Sequence, residues 1–350
     1  MSSSSNAIAH AAPSPEPMYE YRRHILDTLR AFRASQILMA CAELGVFELL
    51  ANEPLTDVEI ANATGADTRG TSLLLNAAVA LGLLAKREGC FANAPMTASC
   101  LAQHDANYIG DILKLEGAFY RRWGHLATAV KTGRRPVENV RDEEDDDWVR
   151  NFELALYKMA QPVAPIIANV LSLPEDRPLR VLDVGGGHGA YSIALAKRYP
   201  HLTATVFELP RVVPVAREII AQAGMADRVL VQEGDFQHGN LGNGYDAALV
   251  FGVLNGESEQ GRAALIARVH ACLNPGGRIV IRELVLDSDR AGPPEAAIFA
   301  LQMLLATDSG GMSTFDEVTQ WLHDAGFAPP QMLLLPACIG APLIVADKMA

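Results

Sequence analysis

The chain is poor in cysteine, and what it has is scattered. Cys41, Cys90, Cys100, Cys272 and Cys338 are odd in number and form no C-x-x-C pair. That excludes a disulfide framework and a structural zinc site, leaves no metal to expect, and points to a reducing compartment. No apolar run approaches the length of a membrane span, so no membrane partner is expected. Basic excess is also missing: 29 Lys and Arg face 41 Asp and Glu, for a net charge of −12. A duplex-binding protein is usually basic, so nucleic acid is excluded as the expected partner. Local basic spots such as Arg121, Arg122, Lys131, Arg134 and Arg135 read as solvated surface. Met1 to Pro17 lacks the basic start and apolar centre of a secretory signal. Residues 1–18 therefore read as a disordered tail on a cytoplasmic protein. What remains, 350 residues that are 49% hydrophobic, suits a globular chain of two domains.

The most informative stretch runs from Arg180 to Tyr191. Val181, Leu182 and Val184 form an apolar run broken only by Asp183. Gly185, Gly186 and Gly187 follow, then His188 and Gly189, then a helical pattern through Ile193, Ala194, Leu195 and Ala196. This is strand, glycine turn, helix. The glycines let the backbone turn sharply and let a ligand approach it, and the helix N-terminus offers unpaired N–H groups. Gly185, Gly187 and Ala190 satisfy the G-x-G-x-x-G/A spacing of a dinucleotide site, and Glu208 closes the next apolar run where an acid would hold ribose hydroxyls. Two cofactor classes share those features. Asp183 separates them, because a carboxylate just before the glycines repels a pyrophosphate and welcomes an ammonium and a sulfonium. The stretch favours S-adenosyl-L-methionine (SAM) over NAD.

In chain order, Tyr19 to Leu50 reads as helices interrupted at Gly45. Thr56 with Glu59 forms a capping box for a short helix ending at Gly65. Asp67 caps the next helix, and Lys86 to Asn93 reads as a two-stranded wing turning at Glu88-Gly89. Residues 19–101 thus form a winged-helix pattern, which the acidic balance assigns to subunit pairing, giving a homodimer. Residues 102–173 read as a helical connector: helix from Ala102 to Gly133, an acidic loop at Asp142 to Asp147, then an apolar stretch bent at Pro162 and Pro165. Residues 174–350 alternate strands and helices. Strands are expected near Thr203–Phe207, Val229–Gln232, Ala247–Phe251, Arg278–Val285, Met332–Leu335 and Leu343–Val345. Helices are clearest at Glu257–Leu273 and Thr314–Ala325, and Asn274-Pro275-Gly276-Gly277 reads as a turn. Such alternation predicts an α/β fold, a Rossmann-like sheet covered on both faces. Asp183, Glu208, Asp235 and Asn255 should converge at its carboxyl edge.

The chain resembles the small-molecule SAM-dependent O-methyltransferases that carry an N-terminal dimerisation domain, such as the caffeate and acetylserotonin enzymes. The matching pieces are Ala42-Glu43-Leu44-Gly45-Val46-Phe47, Leu81-Gly82-Leu83-Leu84, Val181 to Gly189, Phe207-Glu208-Leu209-Pro210, Gly234-Asp235-Phe236, Asn274-Pro275-Gly276-Gly277 and Ala325-Gly326-Phe327. The resemblance implies that Gly185 and Gly187 lie against the methionine end of SAM, with Asp183 supporting it. It implies that Glu208 takes the ribose, that Asp235 meets the adenine amino group, and that Phe236 lies beside the ring. It places Glu283 beside the catalytic base. That base is a histidine in a Leu-His-Asp-Trp string, and here the string reads Leu254-Asn255-Gly256-Glu257. An amide is no base, so Asn255 is expected to orient the acceptor, while Glu283 either receives the proton or only holds the loop through a hydrogen bond. A second family glutamate after Gly-Gly is also absent, since Gly310-Gly311 leads to Met312-Ser313-Thr314.

The implied function is methyl transfer to a small-molecule acceptor at oxygen, carbon or nitrogen in secondary metabolism, achieved by positioning. Tyr157, Met159, Phe299, Met303 and Asp308 are the candidate acceptor contacts. Three rivals stand beside it: a SAM-binding relative that catalyses another reaction, a metabolite-sensing winged-helix regulator, and a NAD-dependent dehydrogenase.

Overall fold

The computed structural model describes residues 15–102, 107–136, 146–336 and 339–349. Residues 1–14 of the expected tail, Asp142 to Asp145 of the acidic run, and Cys338 lie outside them. The chain divides into two compact units at Gly110/Asp111, so most of the expected connector belongs to the second unit.

The first unit begins with α1 (Pro15–Arg30), which starts inside the segment expected to be tail. It continues through α2 (Phe32–Glu43) and α3 (Val46–Leu49), separated by Gly45 in the left-handed region at φ 69°. A short strand β1 (Leu55–Thr56) leads into α4 (Asp57–Thr64), where Thr56 and Glu59 form the expected reciprocal cap. Asp67 accepts from Gly70 N–H at 2.8 Å and opens α5 (Thr68–Ala80). The wing is β2 (Leu84–Arg87) and β3 (Cys90–Asn93), with Arg87 opposite Cys90. Glu88 at φ 49° and Gly89 at φ 84° make the mirror-image turn that matches strand twist. β1 adds to β3, giving the order β1-β3-β2, and α6 (Pro95–Cys100) closes the unit. Phe47, Ile60, Leu75 and Phe91 are its fully buried core. The apolar side chains of α1 are not part of it: Tyr19, Ile25 and Leu29 are each about two-thirds exposed.

The second unit holds α7 (Gly110–Trp123), α8 (Leu126–Thr132), α9 (Asp146–Ala160) and α10 (Ala164–Val170). The helix expected over Ala102 to Gly133 is thus broken at Gly124-His125, and residues 107–109 are not helical. The bend expected at the two prolines falls between α9 and α10. Then come β4 (Leu179–Val184), α11 (Ala190–Arg198), β5 (Leu202–Glu208), α12 (Val213–Gln222), β6 (Val229–Glu233) and β7 (Tyr245–Phe251). A single 3₁₀ turn at Leu254–Gly256 precedes α13 (Glu259–Cys272), β8 (Leu273–Arg282) and β9 (Val285–Leu286). Last are α14 (Pro294–Ala306), β10 (Ser313–Thr314), α15 (Phe315–Ala325), β11 (Gln331–Leu333) and β12 (Leu343–Asp347).

Seven strands form one sheet in the order β11-β12-β8-β7-β4-β5-β6. The five from β8 to β6 are parallel; at the other edge β12 runs antiparallel to β8 and β11 antiparallel to β12, so β12 is the one reversed strand of this sheet. Successive residues of the central strands enter opposite cores. Val181 and Leu249 pack under α10, α11 and α12, while Leu182 and Val250 pack under α13 and α15. Burial on both faces is what makes these strands near-continuous apolar runs. Two boundaries differ from expectation. The strand expected to reach Val285 ends at Arg282. The Asn274–Gly277 stretch, expected as a turn, lies within β8. Gly276 at φ 72° lets the backbone bulge while the pairing shifts register between Tyr245 and Ala247. Strand order reverses between β4 and β7, and a ligand crevice forms outside the carboxyl ends at such a point.

Candidate functional site

The glycine turn begins at the end of β4. Gly185, Gly187 and Gly189 all have positive φ, at 60°, 48° and 71°. Sequence logic gave these glycines to an approaching ligand. The structure shows that the chain's own side chains already use the space. A Cβ on Gly185 would lie 2.8 Å from Val253 Cγ2, one on Gly186 2.6 Å from the Asp183 carboxyl carbon, and one on Gly187 2.6 Å from Glu153 Oε2.

Three buried carboxyls therefore surround the turn: Asp183 from β4, Glu208 from β5 and Glu153 from α9. Asp183 Oδ2 accepts from Ser192 Oγ at 2.7 Å, and its Oδ1 has no partner. Glu208 accepts from Gly187 N–H at 2.9 Å and from Leu209 N–H at 2.7 Å. Glu153 Oε2 has no partner. None of the three forms an ion pair with a described residue. Burial pushes Glu153 up to about 8, helped by the nearby charge of Glu208 and opposed by the His188 N–H. Burial likewise lifts Asp183 to about 7 against its bond from Ser192, and raises Glu208. His188 is buried too, which lowers its imidazole to about 4 and keeps it neutral; its Nδ1 accepts from Ala190 N–H at 3.1 Å. The rings of Tyr157, His188, Tyr191 and Phe251 run in a line, with centroids 5.8, 6.3 and 4.8 Å apart in turn.

Beyond β6, Asp235 Oδ1 accepts from Gln237 N–H and its Oδ2 meets His238 Nδ1 at 2.9 Å, a contact that lowers its carboxyl below the ordinary value. Phe236 packs with the α13 core, its ring 3.6 Å from where a Gly185 Cβ would stand. Beyond β7, Asn255 sits in the 3₁₀ turn and donates Nδ2–H to Glu283 Oε2 at 2.8 Å. Glu283 Oε1 accepts from Leu254 N–H at 2.9 Å. Burial raises Glu283 to about 7, partly offset by those bonds and by Arg262. Arg262 is buried and holds this corner together. It donates to Leu254 O at 2.8 Å, to Ser313 Oγ at 3.0 Å and to Gly311 O at 2.7 Å. Gly311 N–H in turn donates to Asn255 O at 2.9 Å. Met312, in the stretch after Gly310-Gly311 that lacks the family's second acid, is buried, and it lines a cleft with Asn255, Glu283 and Val285.

Asp235, Glu208, Asp183, Asn255 and Glu283 thus follow one another along the carboxyl ends of β6, β5, β4, β7 and β8. The expected acceptor residues scatter more. Phe299 and Met303 share a cluster with Met312, and Trp123 Nε1–H donates to the adjacent Gln302 at 2.6 Å. Tyr157 faces His188. Met159 is half exposed, and Asp308 has a mostly exposed side chain bound to Arg135 at 2.9 Å, so neither is drawn into these groups.

Residues 142–328 match the family of the O-methyltransferase domain, and residues 26–103 match the O-methyltransferase dimerisation domain. The chain belongs to the O-methyltransferase family. Among its relatives, the 3-hydroxy-5-methyl-1-naphthoate 3-O-methyltransferase of Streptomyces sahachiroi is 34% identical over 308 residues, 86% of this chain and 88% of that protein. The L-tyrosine C(3)-methyltransferase of Streptomyces lavendulae is 29% identical and covers 90% of both chains. The human N-acetylserotonin methyltransferase, solved in complex with SAM, superposes with a TM-score of 0.83 at 30% identity over 97% of this chain and 100% of that one.

As an O-methyltransferase the chain is a SAM-dependent enzyme, and its turn fits that cofactor. Buried carboxyl oxygens without partners call for positive charge, which the ammonium and sulfonium of SAM carry and the pyrophosphate of NAD does not. The NAD reading fails on that ground. Glu153, His188 and Arg262 stand among these groups, and the sequence reading did not single them out. A signal for Glu153 was present: it stands one helical turn after the buried Val149 and on the stripe that ends at Ala160. An acid on an apolar stripe is a site candidate.

Proposed function

We propose that this O-methyltransferase acts on the hydroxyl of a small aromatic acceptor in secondary metabolism, as a cytoplasmic homodimer. The observation that carries the reading is the Asn255–Glu283 pair, a part-buried neutral amide bonded to a buried carboxyl raised to about 7. Gly185, Gly187 and Asp183 hold the methionine end of SAM, Glu208 the ribose, and Asp235 and Phe236 the adenine. SAM supplies an electrophilic methyl group on a sulfonium. With its Nδ2 committed to Glu283, Asn255 turns Oδ1 toward the acceptor and accepts its hydroxyl hydrogen bond. Glu283, ionised above about pH 7, takes the proton. Orientation by such contacts is worth roughly 7–11 kcal/mol of barrier. Arg262 is a positioning residue, because it holds Leu254 O just before Asn255 and Gly311 O, whose own N–H bonds Asn255 O. Phe299, Met303 and Met312 supply an apolar wall that suits an aromatic ring.

The test is methyl transfer to a panel of phenols, naphthols, enols and amines between pH 6 and 9. Rates on a phenolic acceptor should rise through about pH 7, and Glu283→Gln should lose that rise with ~10²–10⁴ of rate, the usual reach of a general base. Asn255→Ala should cost much less, and Asn255→Asp should restore little. A collapse beyond ~10⁴ for Asn255→Ala would refute the positioning role. The dimer rests on the exposed apolar face of α1 and on the matched dimerisation domain, within residues 19–101. A two-fold pair is the commonest way to cover such a face. Among the described residues no helix is long and apolar enough to cross a membrane. Analytical ultracentrifugation at micromolar concentration should give twice the chain mass, and a monomer would overturn the pairing.

A further inference from the structure

The glycine turn contains a carboxyl with no assigned task. Glu153 reaches the turn from α9, outside the sheet, and is about nine-tenths buried. Its Oε2 has no partner and fills the space beside Gly187 that a Cβ would occupy. The groups that face it are Glu208 from β5 and Asp183 beyond it on β4, the neutral His188 on the turn, Tyr157 on α9 itself and Tyr191 on α11. No cation is among them. Arg150, one helical turn earlier on α9, is committed to Glu218 at 2.6 Å. Glu208 differs from Glu153 in that both of its oxygens already accept main-chain N–H bonds.

An ionised carboxylate with an unpaired oxygen in a dry interior needs either a proton or a cation. We infer that Glu153 is a charge-sensing ligand residue: it carries a proton in the free protein and releases it to solvent when the ammonium of a cationic ligand settles at Gly187. The inference rests on the SAM-binding reading above and deepens it. Free Glu153 is held at about 8, so its proton is largely present at neutral pH and available for release. A neighbouring ammonium favours the charged carboxylate and lowers that value, so ligand binding and proton release become linked. The ligand's affinity must then rise with pH up to about 8 and level off above it.

The experiment is titration calorimetry of the full chain with S-adenosylhomocysteine, which carries the ammonium and does not turn over. Runs at pH 7.5 in phosphate and in Tris, whose ionisation enthalpies differ, count the protons released. The wild type should release ~0.5–1 proton per site. Glu153→Gln, isosteric and not ionisable, should lose at least half of that release, and its affinity should change less between pH 6.5 and 8.5. Glu153→Asp, which restores a carboxyl, should recover part of the release and shows that loss in the glutamine variant is not misfolding. Methylthioadenosine, which lacks the ammonium, should release none. Binding without proton exchange, equal release by Glu153→Gln, or equal release with methylthioadenosine would each overturn the inference while SAM binding stands. Failure of both SAM and S-adenosylhomocysteine to bind would overturn the cofactor reading itself and this inference with it.

Discussion

The amino edge of the large sheet pairs its carboxylates, whereas the group around the glycine turn at the carboxyl edge does not. At the amino edge Asp246 meets Arg177 at 2.8 Å and accepts from Arg180 N–H at 2.8 Å, while Asp347 meets Arg278 at 2.7 Å. Burial alone would raise Asp246, but its bonds from Arg180, Arg177 and Asn274 outweigh that and leave it below the ordinary value. At the carboxyl edge Glu153, Asp183 and Glu208 lie deep and unpaired with any described cation, and all three are raised. One edge has closed its electrostatics within the chain. The other leaves a deficit of positive charge, which supports the proposed placement of the SAM ammonium and sulfonium there.

The largest break in that contrast should come from removing the deficit. Asp183→Ala and Glu208→Ala should each weaken SAM binding about tenfold or more, since a hydrogen bond to a charged group is worth roughly 1.5–3 kcal/mol. Circular dichroism should show the fold intact, and unchanged calorimetric affinity in both variants would remove these residues from the cofactor site.

A smaller effect should appear in the stability of the ligand-free chain. Glu153 rises from 4.5 to about 8 on folding, so the folded state binds its proton more tightly than the unfolded chain does. The stability this contributes is complete below about pH 4.5 and is lost as pH rises through about 8. Glu153→Gln, permanently neutral, escapes that loss. Its melting temperature should match the wild type near pH 5 and exceed it near pH 8.5. His188, lowered from 6.5 to about 4, works in the other direction and only on the acid side, equally in both proteins. A constant difference across this range would mean that Glu153 is not titrating.

The smallest effect belongs to the paired edge. Asp246 is lowered, so its contribution is present above about pH 3.8 and is lost on acidification. Asp246→Asn should cost about 1 kcal/mol at pH 7, the scale of a partly exposed ion pair, and leave SAM affinity unchanged. A fall in affinity would show that the two edges are not independent.

The sequence disclosed the fold where local chemistry decides it. The cap at Thr56, the stop at Gly65 and the turn at Glu88-Gly89 are each written within a few residues, and all appear where expected. The alternating strands were legible because burial on both faces leaves unbroken apolar runs. The ends of β8 were not, since a glycine bulge inside a ladder and a turn between elements use the same residues. The row of site residues along the carboxyl edge was legible from the spacing of acids after strands. Glu153 and Arg262 were not, because their roles depend on helices folding back over the turn and over Asn255, a matter of tertiary packing that no local spacing reports.

The filled space beside Gly187 has a consequence for how this protein can change. Positions 153 and 187, distant in sequence, share one volume, so what is tolerated at 187 depends on what stands at 153. An alanine at 187 has to push the Glu153 carboxyl aside and also hold the left-handed φ of 48°, and a shorter residue at 153 relieves only the first of these. Any library that randomises the glycine turn to alter cofactor preference must therefore vary α9 in the same clones, or it will confound the crowded carboxyl with the strain of the left-handed backbone.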